Sequence, residues 1–243
     1  MTDMNQPAGE EPKAAKPSDK RRKRGIIIGV VAAVVIVAGA GFWVWHEQPS
    51  FCNAICHTPM DAYLDTYEQP LGQAGVDKWG LEVADTSGMM AVTHRAAGLS
   101  CLKCHEPQLG EQISEGINWV SGNYEVVTNA AGQKVPTERT LADLTEARGI
   151  PSEQFCLNSG CHVNDDGSVM TVEDLRAKTA GHGYNPHKWH NGDMECGDCH
   201  KAHAASVNQC TECHAEAEVP DGWMTSAEEK AHLREAAAEA ATE

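Results

Sequence analysis

Five times in this chain a pair of cysteines is followed at once by a histidine: Cys52 and Cys56 with His57, Cys101 and Cys104 with His105, Cys156 and Cys161 with His162, Cys196 and Cys199 with His200, and Cys210 and Cys213 with His214. These pairs use all ten cysteines. Two thiols and an adjacent imidazole supply two thioether links to a porphyrin and one nitrogen for its iron, the attachment chemistry of haem c. Three of the spacers hold two residues. The spacer between Cys52 and Cys56 holds three and that between Cys156 and Cys161 holds four, and these reach the same two vinyl positions if the loop bulges. Zinc gathers four ligands per site and needs no histidine after every second cysteine. Disulfides suit an oxidising compartment but also leave the five histidines unexplained. The residues therefore predict five covalently bound haem c groups.

Seven other histidines remain to complete the irons: His46, His94, His182, His187, His190, His203 and His232. A pure electron carrier needs six-coordinate iron, because a second protein ligand blocks substrate and limits rearrangement on redox change. The number of candidates is close to the number of positions to fill.

The elements that must carry these groups start at the amino terminus. Residues 1–24 are polar, rich in Pro, Ala and Lys, and end in the basic cluster Lys20 to Arg24, which predicts a disordered tail. Residues 25–45 then run without a charge; as a helix they reach roughly 31 Å, enough for a hydrocarbon core of about 30 Å. A cleaved signal peptide has a shorter apolar region, of roughly 7 to 15 residues. Here the run continues through Phe42, Trp43 and Trp45, in an aromatic-belt position. The expectation is a single uncleaved transmembrane anchor in the cell membrane, with the basic tail cytoplasmic and everything after it on the extracytoplasmic side.

The chain carries a net charge of −16; residues 1–45 hold seven Lys and Arg against four Asp and Glu, +3, which leaves −19 beyond the anchor. That balance excludes nucleic-acid binding. It suits steering towards a partner with a basic docking patch, and equally a merely solvated face.

Between Cys52 and His214 lie 163 residues, roughly 33 per site, so the porphyrins must supply much of the apolar core, as metals do in other small scaffolds. The fold class expected is mostly α with long loops: a single amino-terminal transmembrane helix followed by a compact multihaem cytochrome c domain over 46–224, organised around five haems, and an exposed helix over 225–243. Glu111 to Val120 has the apolar periodicity of a helix. Leu141 to Arg148 is opened by Thr140 and closed by Gly149, and Val172 to Ala180 is opened by Thr171 and closed by Gly181. Ser226 to Ala241, rich in Ala and Glu, reads as the tail helix. A small hairpin fits Tyr124 to Pro136 around Asn129 to Gly132.

The stretch Tyr184-Asn185-Pro186-His187-Lys188-Trp189-His190, followed by Cys196-Gly197-Asp198-Cys199-His200-Lys201-Ala202-His203 and Cys210-Thr211-Glu212-Cys213-His214, resembles the cytochrome domain of the flavocytochrome c fumarate reductases. There an Asn-x-His-x-x-His segment, a histidine three residues after an attachment motif and one shortly before the first motif are distal haem ligands. The resemblance implies that His187, His190, His203 and, more loosely, His94 complete the last four irons as bis-histidine sites. It leaves open which serves which haem. His182 is a surface residue or a substitute for His94, His46 sits at the membrane edge, and His232 is solvated on the tail helix.

Phe51-Cys52-Asn53-Ala54-Ile55-Cys56-His57-Thr58-Pro59-Met60, directly after a single anchor, resembles the NapC/NirT/NrfH family of quinol dehydrogenases. In that family the first haem lies beside the membrane, takes electrons from quinol and has a nearby methionine ligand. Here the spacer is longer by one residue and the methionine stands three residues after the histidine where the family usually has two. The resemblance implies Met60 as the sixth ligand of haem 1, with Met89, Met90 or an open position as alternatives.

Quinol releases protons as well as electrons, so a proton acceptor must lie within hydrogen-bond reach of it; Asp61, Asp65, Lys78 and Glu82 are candidates. Together the resemblances imply a cytochrome that takes electrons from menaquinol and passes them to an extracytoplasmic reductase in anaerobic respiration. The preferred partner is an FAD-containing reductase of the fumarate reductase type, with a nitrite reductase second. A terminal reductase of nitrite or a similar small substrate would want an open iron, often beside a motif ending in lysine, whereas all five motifs here end in histidine. A passive tethered shuttle has the same haems without a quinol site.

Overall fold

The computed structural model describes residues 19–106, 108–136, 140–146, 148–190 and 194–240. The chain divides into two units, 1–46 and 47–243. The first unit consists, where described, of α1 (Asp19–His46). Among the described residues it is the one helix long and apolar enough to cross a membrane. The basic cluster Lys20 to Arg24, expected in the disordered tail, instead forms the first turns of α1. Lys and Arg are good helix formers, and Asp19 in the first turn complements the helix dipole. Residues 1–18 of the expected tail lie outside the described residues.

The second unit is mostly helical with long connections: α2 (Pro49–Glu68), α3 (Met90–Ala96), α4 (Leu109–Ser121), α5 (Leu141–Glu146), α6 (Ser152–Cys156), α7 (Val172–Lys178), α8 (Cys196–Cys199) and α9 (Ser226–Ala240). Three two-stranded ladders join them. β1 (Gly75–Val76) pairs antiparallel with β2 (Glu82–Val83), β3 (Val126–Thr128) antiparallel with β4 (Lys134–Pro136), and β5 (Val207–Asn208) parallel with β6 (Met224–Thr225). The hairpin expected over 124–136 is β3 and β4, with Val127 opposite Val135.

Local signals act where they were read. Thr171 and Asp174 form a reciprocal capping box at the start of α7, and the Thr140 hydroxyl accepts from the Asp143 N–H at 3.1 Å while the Asp143 carboxylate accepts from Thr140. Three helices end differently from expectation. α7 stops at Lys178 rather than Ala180, because the Thr179 hydroxyl donates to the Leu175 carbonyl at 2.7 Å and Thr179 itself caps the helix. α5 stops at Glu146. α4 extends one to two residues beyond each expected end, closed by Gly122 at φ 70°.

Two larger corrections concern α2 and α9. No helix was expected over the first motif, yet Pro49–Glu68 is one continuous helix of 20 residues, with Pro49 in its first turn, where the missing N–H costs nothing. The tail helix α9 is exposed over most of its described residues but docked along one side: Ser226 and Ala236 are buried and it packs on β5, β6 and the turn at Gln209–Glu212. Its alanines leave room for close approach. His232, expected to be solvated, reaches the fully buried Asp77 carboxylate, Nε2 to Oδ2 2.7 Å. Asp77 Oδ1 accepts from the Trp79 and Leu81 N–H groups, so this buried carboxylate is satisfied on both oxygens.

The core is small: Val83, Met89, Val92 and Ala205, with Met224 against them. Around it the chain is tied by backbone. The free N–H groups at the start of α3 are satisfied across the fold, Met90 by the Lys201 carbonyl at 3.0 Å and Ala91 by the Ala202 carbonyl at 2.9 Å. Gly88 lies so close to Gly222 that a Cβ would sit 1.9 Å from the Gly222 oxygen, so no side chain fits. Met89 is 0% exposed; Met89→Ala is expected to cost about 2–5 kcal/mol, read as an earlier denaturant midpoint of the holoprotein with its haem absorption unchanged.

Candidate haem-binding sites

Each regular motif closes on itself in the same way. The motif histidine N–H donates to the carbonyl of the first cysteine: His105 to Cys101 at 2.8 Å, His200 to Cys196 at 2.9 Å and His214 to Cys210 at 2.8 Å. The third motif, with its longer spacer, makes the equivalent bond from His162 to Cys156 at 3.3 Å. Its extra residues loop out through an Asn158 turn, in which the Asn158 carboxamide oxygen accepts from the Gly160 N–H at 2.9 Å. The expected bulge is therefore present there. The first motif has no bulge, since α2 runs through it and sets Cys52 and Cys56 one turn apart on one helix face. The side chains of Cys56 and His57 lie outside the described residues.

Four of the motif histidines each face a second histidine. The ring centroids are 6.4 Å apart for His105 and His203, 6.2 Å for His162 and His94, 6.4 Å for His200 and His187, and 6.0 Å for His214 and His190. An imidazole nitrogen sits about 2.0–2.1 Å from a divalent first-row metal, and adding roughly 1.1 Å from nitrogen to ring centre on each side gives a centroid separation of about 6.2 Å. The observed gaps fit one iron between each pair. Among the described residues no three His, Cys, Asp or Glu converge as a zinc site would require; the histidines meet in twos. The four distal candidates read from the sequence each lie beside a different motif histidine.

The fold also fixes which nitrogen faces the gap. His94 Nδ1 is 2.7 Å from the Met90 carbonyl, an acceptor only, so Nδ1 carries the proton and Nε2 the lone pair. His203 Nδ1 is 2.7 Å from the Thr66 hydroxyl, which itself donates to the Tyr63 carbonyl at 2.8 Å. His187 Nδ1 is 3.2 Å from the Thr179 hydroxyl, and its backbone is held by Arg176 Nε on its carbonyl and Asn185 on its N–H. Sequence reading missed Thr66 and Thr179. Thr66 stands 137 residues from His203, and nothing in the local pattern marks it. Burial pushes the His203 imidazole down to about 3, assisted by His105 and Lys78, and the His200 imidazole down to about 4, assisted by His187, His162 and His94. Both rings are neutral at physiological pH, the form that binds a metal.

The thiols show how the motifs neighbour one another. Burial pushes the Cys101 thiol up, and Cys52 of the first motif adds to it. Burial likewise raises Cys104, with Cys161 of the third motif contributing. Cys156 donates a hydrogen bond to the Cys196 sulfur, which holds Cys156 protonated and lowers Cys196 to about 7. Cys199 is raised by burial, with Cys210 nearby. The five motifs therefore lie beside one another in chain order.

Around the first motif, Met60 is half-buried on α2; of the alternatives, Met89 is committed to the core and Met90 is half-buried at the start of α3. Asp61 follows His57 by one helical turn on α2. Asp65 is exposed and accepts from Gln133 at 2.8 Å. Lys78 is buried, 4.8 Å from the Trp79 ring and 6.0 Å from that of Tyr63; Glu82 is exposed. His182 is on the surface, 3.5 Å from Glu218, and His46 packs on Trp43 within α1.

The cytochrome c-type protein Cgr1 of Eggerthella lenta is 56% identical over 212 residues, which are 87% of this chain and 92% of that protein. The chain belongs to the multihaem c-type cytochromes. A family model described as cytochrome c3 matches residues 142–215, which hold the last three motifs of this cytochrome. No solved structure matches it. Covalently bound haem c, and with it electron transfer, follows from this membership.

The relative angles of the paired rings make a spectroscopic prediction. The planes cross at 87° for His94 and His162 and 76° for His190 and His214, but at 31° for His105 and His203 and 11° for His187 and His200. Crossed imidazoles leave two iron d orbitals nearly degenerate, and aligned ones split them. Electron paramagnetic resonance of the oxidised cytochrome is expected to show two low-spin centres with very large anisotropy and two ordinary rhombic ones. His187→Ala should convert one of the rhombic centres to a high-spin, carbon monoxide-binding haem and leave the other three in place.

Proposed function

We propose that this cytochrome is an anchored quinol-oxidising electron carrier: it takes electrons from menaquinol at the extracytoplasmic face of the cell membrane and delivers them through five haems to an extracytoplasmic reductase in anaerobic respiration. The observation that carries the reading is the set of four closed histidine pairs whose motifs neighbour one another in chain order. Haem bound at these motifs supplies reversible one-electron chemistry of iron. Two protein ligands on each of the four pairs exclude substrate from the metal, which favours a carrier over a terminal reductase. Entry at the first motif is supported by its place on α2, which begins three residues after α1 ends.

The residues around that motif divide the work. Met60 stands one turn from His57 on the same helix, so the two could not bind opposite faces of one iron; if Met60 supplied the ligand, a thioether would raise the potential relative to the bis-histidine sites. Quinol gives up two electrons, one at a time, and two protons; Asp61, one turn beyond His57 on α2, takes the protons in turn and releases each to the outer aqueous side. The Cys52-x-x-x-Cys56-His57 motif would attach the first haem. At the other end His190 and His214 complete the last site in the chain, with Tyr184 stacked 4.3 Å from His214 and its hydroxyl donating to Glu216. The acceptor is a separate FAD-containing reductase of the fumarate reductase type, which the likeness of the carboxy-terminal half to the haem domain of such enzymes supports. The acidic outer part fits a basic docking face on that partner.

The full-length holoprotein in lipid nanodiscs is expected to be reduced by a menaquinol analogue, and a quinol-site inhibitor is expected to block that reduction. Asp61→Asn should slow it by about 100-fold or more with the haem complement unchanged. Absence of reduction by the quinol, with full reduction by dithionite, overturns the quinol reading and leaves a tethered shuttle.

A further inference from the structure

α2 does more than present the first motif. Nine residues after His57, and about 13.5 Å further along the same helix, stands Thr66, which is 1% exposed. Its hydroxyl donates to the Tyr63 carbonyl at 2.8 Å, the ordinary behaviour of a helical threonine, and its remaining lone pair faces His203 Nδ1 at 2.7 Å. The Tyr63 ring stands edge-on to His203 at 5.0 Å, and the His203 carbonyl accepts from the Lys78 N–H at 2.9 Å. Ring and backbone of His203 are thereby both held, with the ring centre 6.4 Å from that of His105.

We infer that Thr66 is a positioning and tuning residue for the second haem, acting through His203. This rests on the reading that His105 and His203 ligate one iron. A hydroxyl that is already donating is a polarised, stronger acceptor. An imidazole that donates its Nδ1 proton to it becomes a more basic ligand through Nε2. A more basic axial ligand stabilises the oxidised iron, so the bond from His203 to Thr66 holds the potential of haem 2 down. The chain grades this device: His94 donates to the Met90 carbonyl at 2.7 Å, whereas the corresponding contact of His187 with Thr179 is longer, 3.2 Å. One helix thus carries the entry motif and also sets how readily the next site accepts an electron.

The test uses the full-length holoprotein with all haems loaded, by potentiometric titration and electron paramagnetic resonance. Thr66→Val removes the acceptor and keeps the shape. It is expected to raise the potential of haem 2 while that haem stays low-spin, and Thr66→Ser is expected to restore the wild-type value. Thr179→Val should shift haem 4 in the same direction by less. No shift in Thr66→Val, or an equal shift in Thr66→Ser, overturns the assignment. If Thr66→Val fails to load, Thr66→Ala is read in its place, and in the wild-type protein a slowly exchanging Nδ1 proton on His203 in proton NMR supports the bond while rapid exchange overturns it. His203→Ala separates the two readings: if it produces no high-spin haem, the pairing of His105 with His203 fails, whatever Thr66 does.

Discussion

Pairs of imidazoles held with their ring centres 6.0–6.4 Å apart are the constraint on which the rest of this cytochrome depends. The gap is large enough for a metal and too large for the rings to touch, so nothing in the pair itself holds it open. The surrounding chain must do so. It does this with backbone and second hydrogen bonds rather than with a deep core, which is limited to a few residues around Met89 and Val92. Haem c bound at the motifs would supply the apolar bulk that the sequence lacks.

Two of the pairs are built from distant parts of the chain. His203 follows the fourth motif yet lies beside the second, and His94 precedes the second yet lies beside the third. Both placements come from one crossing, where the carbonyls of Lys201 and Ala202 receive the first N–H groups of α3. That crossing satisfies the helix end and, in the same contact, locks His94 and His203 into separate sites. Haem loading at one motif is therefore coupled to the fold of its neighbours. The close thiols of Cys156 and Cys196 show how little chain separates the third and fourth sites.

The helical character, the hairpin at Val126–Pro136 and the capping of α5 and α7 were legible locally, because Thr-x-x-Asp caps and strand alternation act over a few residues. α2 was not, because a cysteine motif reads as a loop and the helix is held by its packing on α3 and β4. Nor was the docking of α9. Its composition is that of a solvated helix, and only the buried Asp77, brought up from the turn between β1 and β2, gives His232 a partner.

The amino-acid sequence by itself determined the attachment chemistry, the ligand types and an apolar segment long enough to span a bilayer, because each of these depends on residue identity at short spacing. It also narrowed the distal ligands to a few histidines. Only the tertiary structure decided which histidine lies beside which motif, the angle between their rings, the order of the motifs in space and the contact of Thr66 with His203. Those are properties of side chains that meet across as many as 137 residues of separation, where the geometry is imposed by helix packing and crossing backbones and leaves no periodic mark in the chain.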